Sequence, residues 1–479
     1  MVGNAQTGAD GGVSRRRVLA AVSATGVVGS VAGCLGGGTD SLQITMDQEW
    51  AGSADTVKDA LYDAGLDEDI RIEILPGDFD SGARRASFTS ALDAGRSRPD
   101  IFMMDTGWTI PFIVRDQLVN LQEVLSAETL EYVENDYLQA AVDAASHPES
   151  DALYGLPLFQ GYPVLHYRKD LVEAAGYDTS GWATEPISWT RFAEVAADVV
   201  DRNGDLDYGF TTQAANYVGT ACCTFNEMMT SWGGAYFGDH ENLFGPVGDR
   251  PITVDEEPVH ETIRMMRAFM YGPDAEYANS DLPQVTNGNL VEFKEEPSRQ
   301  PFTDGRAAFM RNWPYAIPIN LTDGGFTAGE DYDVMPLPYG VEESASAYEG
   351  AGGSSHALGG WNLAINENTT RPEECVAVLE AFANPEVMLT VLGEIGLLPP
   401  DPSVLEAADE STVGGLAQFV DTLTVAGKNT VPRPVTAAWP DESPRIASEV
   451  TAAYRGVKSP EEAMGDLNER LELVETEVR

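Results

Sequence analysis

A strand–helix–strand rhythm near the start of the folded body restricts the fold more than any other feature of this chain. Residues 41–46, Ser41-Leu42-Gln43-Ile44-Thr45-Met46, alternate apolar and polar and predict a first strand. Residues 54–64 follow with helical spacing. Ile70-Arg71-Ile72-Glu73-Ile74 predicts a second strand, stopped by Pro76-Gly77. Residues 84–94 predict a helix with Phe88, Ala91 and Leu92 on one face, and 99–104 a short buried strand ending at Asp105. Such alternation predicts an α/β architecture with mostly parallel strands. The rhythm resumes later. Ser188 is a predicted N-cap for a helix that places Phe192, Val195, Ala196 and Val199 on one side. Leu363-Ala364-Ile365 predicts a strand, and Thr370 with Glu373 a capping box. Two helical stretches flank Ser459-Pro460.

At 479 residues the chain is too long for one compact core, so two lobes are expected. Its 77 acidic and 29 basic residues give a net charge of -48, which excludes a basic nucleic-acid-binding surface. Only five of the cations are Lys, and the acids are spread along the whole sequence. With 43% hydrophobic residues this is a folding chain and not an acidic disordered one. A halophilic, haloarchaeal-type surface is predicted, because in molar salt the screening length falls to about 3 Å.

The first 40 residues read as an address. Ser14-Arg15-Arg16-Arg17-Val18-Leu19 opens an apolar run to Ala32 and resembles a twin-arginine export signal, with Val18 where that pattern has Phe. Val31-Ala32-Gly33-Cys34 resembles a lipoprotein cleavage box, with Cys34 the lipid carrier. The expectation is a signal peptide at 1–33 and a Gly-rich tether at 34–40, with a body held on the outer face of the membrane. No later segment reads as transmembrane. Cys222, Cys223 and Cys375 remain. Neighbouring Cα atoms lie about 3.8 Å apart, short of usual disulfide spacing, so no bridge between Cys222 and Cys223 is expected. No metal-ligand pattern or cofactor fingerprint is present, and Asp201–Asp207 lacks the glycine and closing Glu of a calcium loop. Asn320 and Asn368 head glycosylation tripeptides.

Six segments then occur in a familiar order. They are Pro99-Asp100-Ile101-Phe102 with Asp105 and Trp108; Tyr154-Gly155-Leu156-Pro157 with residues 165–171; and Ala175-Gly176 with Pro186-Ile187-Ser188-Trp189. The others are Phe302-Thr303-Asp304-Gly305-Arg306-Ala307-Ala308-Phe309, Gly359-Gly360-Trp361-Asn362-Leu363-Ala364-Ile365, and Arg433-Pro434-Val435-Thr436 with Trp439-Pro440. Together they resemble the family 1 extracellular solute-binding proteins of sugar ABC transporters, the maltose- and trehalose/maltose-binding group, over nearly all of 41–475. The resemblance implies a two-lobed, type II periplasmic-binding-protein-like fold. It puts 41–155 and 356–408 in an N-lobe, 156–355 and 409–479 in a C-lobe, and a sugar in the cleft between them. It also implies a binding protein without chemistry or cofactor, acting as a monomer and handing its sugar to a membrane permease.

A sugar presents hydroxyls at its rim and C–H groups on its faces, so its site needs aromatic planes and directed polar groups. By resemblance Glu49 and Asp105 accept hydroxyl hydrogens, Arg84 and Arg433 donate, Trp313, Tyr315 and Trp361 stack, Phe159 adds apolar surface, and Gly360 admits the ligand to the backbone. Trp108 and Trp439 join this set as tryptophans in loops beside the motifs. Where the group has an acid after its aromatic, this chain has Gln160-Gly161-Tyr162, so that contact is lost or is taken by Gln160 or Tyr162. Structural readings compete. Asp105 could cap a helix, Arg84 could face solvent, Trp232 and Tyr236 could be core, and Trp189 reads as a packing residue. The alternative functions are a secreted glycosidase or lyase using Glu49 and Asp105 as its carboxylate pair, or a binder of a non-sugar solute.

Overall fold

The computed structural model describes residues 41–478 apart from Phe79 and Glu149. The segments expected to be an export signal and a tether, with Cys34, lie outside the described residues. Among the described residues ten strands make two mixed sheets. They are β1 (Leu42–Met46), β2 (Ile72–Pro76), β3 (Ile101–Asp105), β4 (Gly155–Gly161), β5 (Val164–Tyr167), β6 (Tyr208–Thr211), β7 (Ala307–Asn312), β8 (Asp333–Met335), β9 (His356–Ile365) and β10 (Thr430–Pro432). The first sheet runs β10-β9-β3-β1-β2, with β4 also on β9; the second runs β6-β7-β5-β8.

The α/β class matches the expected rhythm, but the strand directions are more mixed than that rhythm predicts. β1 pairs in parallel with β2 and β3, and β10 with β9. β9, arriving late in the chain, lies antiparallel to β3 and β4. In the second sheet only β6 and β7 are parallel. The period-two pattern of β1 is realised: Leu42, Ile44 and Met46 are buried, with Gln43 and Thr45 half-buried between them. Each sheet is covered by helices and has its own core. Trp50, Leu61, Ile101, Leu363 and Phe382 fill one. Trp189, Phe192, Phe210, Phe269 and Phe309 fill the other.

Ser188 caps the Trp189–Arg202 helix by accepting the Arg191 N–H at 3.2 Å, and Phe192, Val195, Ala196 and Val199 are buried beneath it. The expected box at Thr370 and Glu373 does not form. The Pro372–Phe382 helix starts on Pro372, whose fixed φ and missing N–H suit the first helical turn without a side-chain cap. Thr369 supports the entry instead, accepting the Arg371 N–H and donating to Asp100. Asn320 is fully buried and accepts from Thr303, which removes it as a glycosylation acceptor in the folded chain. Among the described residues no single helix is long and apolar enough to cross a membrane.

The chain leaves the first sheet after Gly161 and enters the second at Val164. His356, at the start of β9, clamps this passage: its Nδ1 lies 2.7 Å from the Pro163 carbonyl. Burial lowers His356 to about 4, so the ring is neutral at pH 7 and Nδ1–H donates to that oxygen. Glu227 of the Phe225–Ser231 helix accepts the Ala357 N–H one residue further on.

Candidate functional site

Strand ends from both sheets converge on one cavity, as open α/β sheets place their ligand groups. Asp47, just past β1, caps the Gln48–Gly52 helix by accepting the N–H groups of Glu49 and Trp50. That cap brings Glu49 to the cavity wall. Asp80 caps the Ser81–Asp93 helix and accepts the Ala83 N–H, which sets Ser81 and Arg84 on the same wall. Arg84 is only 1% exposed, so it does not face solvent. Its Nε and Nη2 donate to the Asp78 carbonyl at 2.9 and 2.8 Å, and its guanidinium lies 4.2 Å from the Trp361 ring centroid. Trp361 is thus held from behind as a flat plate.

Asp105 closes β3. Its Oδ1 accepts from the Gly107 N–H and from Arg433 Nη1, both at 2.8 Å, and its Oδ2 accepts from Ser81 Oγ at 2.8 Å. Trp108 Nε1 donates to the same Ser81 oxygen. The register then aligns three side chains. Asp105 faces Trp361 across β3 and β9, and Phe159 faces Trp361 across β4 and β9. Directly opposed residues of antiparallel strands share a sheet face. A bulge between Pro157 and Phe159 shifts the register there, and both Phe159 and Gln160 border the cavity. Gln160 is 2% exposed, and neither atom of its side-chain amide has a hydrogen-bond partner.

From the second sheet, β7 delivers Trp313 and Tyr315. Arg311 lies 4.1 Å from the Trp313 ring centroid and is itself locked by Glu227 Oε2 at 2.7 Å and Gln213 Oε1 at 2.8 Å. Tyr315 donates to Glu296, and Tyr217 to Glu295. At the rim Lys294 Nζ pairs with Asp80 Oδ2 at 2.7 Å. The cavity has a volume of about 150 Å³. A wider groove of about 590 Å³, bordered by Leu130, Gln139, His147 and Phe244, shares none of these residues.

Glu49 titrates far above the ordinary carboxyl range. Burial, reinforced by the neighbouring Asp47 and Glu296 carboxylates, pushes it up to about 8. At neutral pH it keeps its proton and offers a donor as well as an acceptor. Burial also raises Asp47 and Glu295.

Of the residues anticipated from sequence, Glu49, Arg84, Asp105, Phe159, Gln160, Trp313, Tyr315, Gly360, Trp361 and Arg433 all border this cavity. Three do not. Trp108 stands behind Trp361, edge-on at 6.3 Å, and serves Ser81. Tyr162 is buried under the Phe302–Tyr332 core and lies against Gly427. Trp439 begins a helix, is 1% exposed and packs on Tyr236 inside the second core. A tryptophan beside a motif is as useful to a core as to a binding wall, and here helix packing takes it. Tyr236 is core, and Trp232 packs at the core's edge. Asp105 caps no helix; it is an ion-pair partner.

Sequence reasoning did not anticipate Tyr217, Val218, Gly219, Cys222, Cys223 and Glu295 on the wall. It also excluded a bridge that is present. Cys222 and Cys223 are disulfide-bonded, with Cα atoms 3.7 Å apart. The close spacing makes the bridge uncommon but does not forbid it, and the adjacent pair was the visible signal.

A match to the bacterial extracellular solute-binding protein family spans residues 51–389. The chain belongs to that family. It is a family of binding proteins and not of enzymes. A probable ABC transporter-binding protein of Deinococcus radiodurans is 26% identical over 402 residues, covering 82% of this solute-binding protein and 83% of the relative. Two solved structures share its fold. One is maltose-bound T. maritima MalE3, with TM-score 0.72, 24% identity, and coverage of 90% of this chain and 99% of the other. The second is an ABC transporter solute-binding protein of Thermotoga lettingae TMO bound with alpha-D-tagatose, with TM-score 0.71, 19% identity, and coverage of 91% and 99%.

Proposed function

We propose that this solute-binding protein is the substrate-binding component of an ABC importer and holds a neutral carbohydrate in the cavity described above. One observation carries the reading. Asp105, Trp361 and Phe159 stand abreast on three strands, backed by Arg84 and Arg433, while Trp313 and Tyr315 reach the same space from the other sheet. Flat aromatic surface beside fixed donors and acceptors matches a sugar ring's C–H faces and hydroxyl rim. Gln160 also lies on this wall, buried with its amide unpaired. A cavity of about 150 Å³ holds one six-membered ring, so a monosaccharide or one unit of an oligosaccharide fits.

The same reading gives the molecule two lobes, 41–155 with 356–408 and 156–355 with 409–479, that shut around the ligand because it contacts both. The monomer then presents its load to a permease. Twin-arginine export, lipid attachment at Cys34 and a salt-adapted surface belong to this proposal and rest on the sequence motifs.

Calorimetry of the mature protein in molar NaCl, over a panel of mono- and oligosaccharides, tests the reading. Micromolar binding of at least one sugar is expected, with Trp361→Ala weakening it about tenfold or more. No heat from any sugar, with the variant indistinguishable from the parent, would overturn it.

A further inference from the structure

We propose that the Cys222–Cys223 disulfide is a ligand-contacting wall of the cavity and sets how tightly the solute is held. This rests on the binding reading above and concerns the same site. Both sulfur-bearing residues border the cavity, each 4% exposed. They sit in a π-helical turn, Thr220–Thr224, that runs directly into the Phe225–Ser231 helix. Such i→i+5 turns recur at functional sites because the wider turn re-aims side chains out of the helical ladder.

The surroundings hold this turn in place. Tyr236 donates to the Ala221 carbonyl at 2.7 Å, and Thr220 Oγ1 donates to the Ala215 carbonyl at 2.5 Å. One helical turn on, Asn226 donates to the Pro432 carbonyl and Glu227 accepts from Ala357, so the same helix grips β10 and β9. Glu227 also locks Arg311, which backs Trp313. The disulfide therefore lies at the head of the element that positions one of the cavity's aromatic plates.

Its chemistry suits a sugar's face. A disulfide is polarizable and has no proton to donate, so it meets C–H groups without leaving a donor unsatisfied. The polar contacts come from other wall residues. An exported protein works where disulfides persist. The remaining described cysteine, Cys375, is buried in the other sheet's core and is no exchange partner.

Reduction gives the experiment its handle. An added dithiol loses two S–H protons and two electrons and closes to its own cyclic disulfide, while the Cys222–Cys223 bond breaks and two S–H groups form. Unbonded sulfurs cannot stay at bonding distance, so the wall changes shape. The probe is whichever panel solute gives the tightest heat, the panel holding sugars, glycerol phosphates and amino acids. Alkylation in denaturant without reductant, followed by mass spectrometry, is expected to leave Cys222 and Cys223 unmodified. The C222S/C223S double variant and the dithiothreitol-treated parent are each expected to bind about tenfold more weakly, while circular dichroism stays native. The variant is expected not to respond to dithiothreitol. If the variant does not fold, the reduced parent supplies the comparison.

Free thiols at both positions in the untreated protein, or equal Kd with and without the bond, would overturn the inference. A sugar bound equally well without the disulfide sinks this inference and leaves the carbohydrate reading standing. A non-sugar solute whose affinity falls on reduction does the reverse. No binding of any panel solute sinks both.

Discussion

Glu49 shows how a single group can tie this site to pH. Its folded pKa of about 8 lies above the ordinary carboxyl value, with burial the largest cause. Between the two values the folded chain keeps a proton that the unfolded chain has lost. The stability linked to Glu49 is therefore full below the unfolded pKa, and it is lost as pH rises through about 8. Glu49→Gln keeps the hydrogen-bonding shape without the ionisation. Thermal unfolding is expected to show the parent losing stability between pH 5 and pH 9 more steeply than the variant, with the gap closed at the acid end. Equal slopes would mean that Glu49 ionises freely. At this scale the sequence was readable wherever a residue type stood in an ordered motif, as Asp105, Trp361 and Arg433 did, and each borders the cavity. It was unreadable for Trp439 and Tyr162, because an aromatic ring has the same chemistry in a core as in a binding wall. The adjacent cysteines failed for another reason: usual Cα spacing describes bridges between separate segments, and neighbours are a different geometry.

Among the elements, β9 does most to assemble the site. It pairs with β10, β3 and β4 and carries Gly360 and Trp361. Sequence showed only its last three residues as strand, since the Gly359-Gly360 pair interrupts any apolar alternation and suggests a turn. The structure explains Gly360 differently. Its φ is +155°, and a Cβ there would come within 2.8 Å of the Phe159 carbonyl oxygen on β4. Glycine is needed for the two strands to close, not only for a ligand to approach. Gly360→Ala is expected to cost about 1–3 kcal/mol, as overpacking against backbone does, and to weaken solute binding by shifting Trp361. Chemical denaturation and calorimetry on one preparation check both. Helices were more legible than strands. The Trp189–Arg202 face and the Ser188 cap follow from local spacing, whereas the antiparallel placement of β9 depends on partners some 200 residues away in sequence, such as β4.

For the molecule as a whole, a net charge of -48 dominates. The repulsion is long-ranged in dilute buffer, where the screening length at 0.1 M is about 10 Å, and short-ranged in molar salt, where it is about 3 Å. The unfolding midpoint is expected to rise steadily from about 0.1 M to molar NaCl, and an unchanged midpoint would refute salt adaptation of the surface. This expectation rests on composition alone.

The rim pair of Asp80 and Lys294 then takes on a different character. Both side chains are partly open to solvent, at 39% and 45%, and exposed pairs contribute only about 0–1 kcal/mol even in dilute solution. Brine would quench that small attraction. In molar salt this contact at the cavity rim would contribute least, so on the proposed reading the bound solute itself has to draw the two walls together.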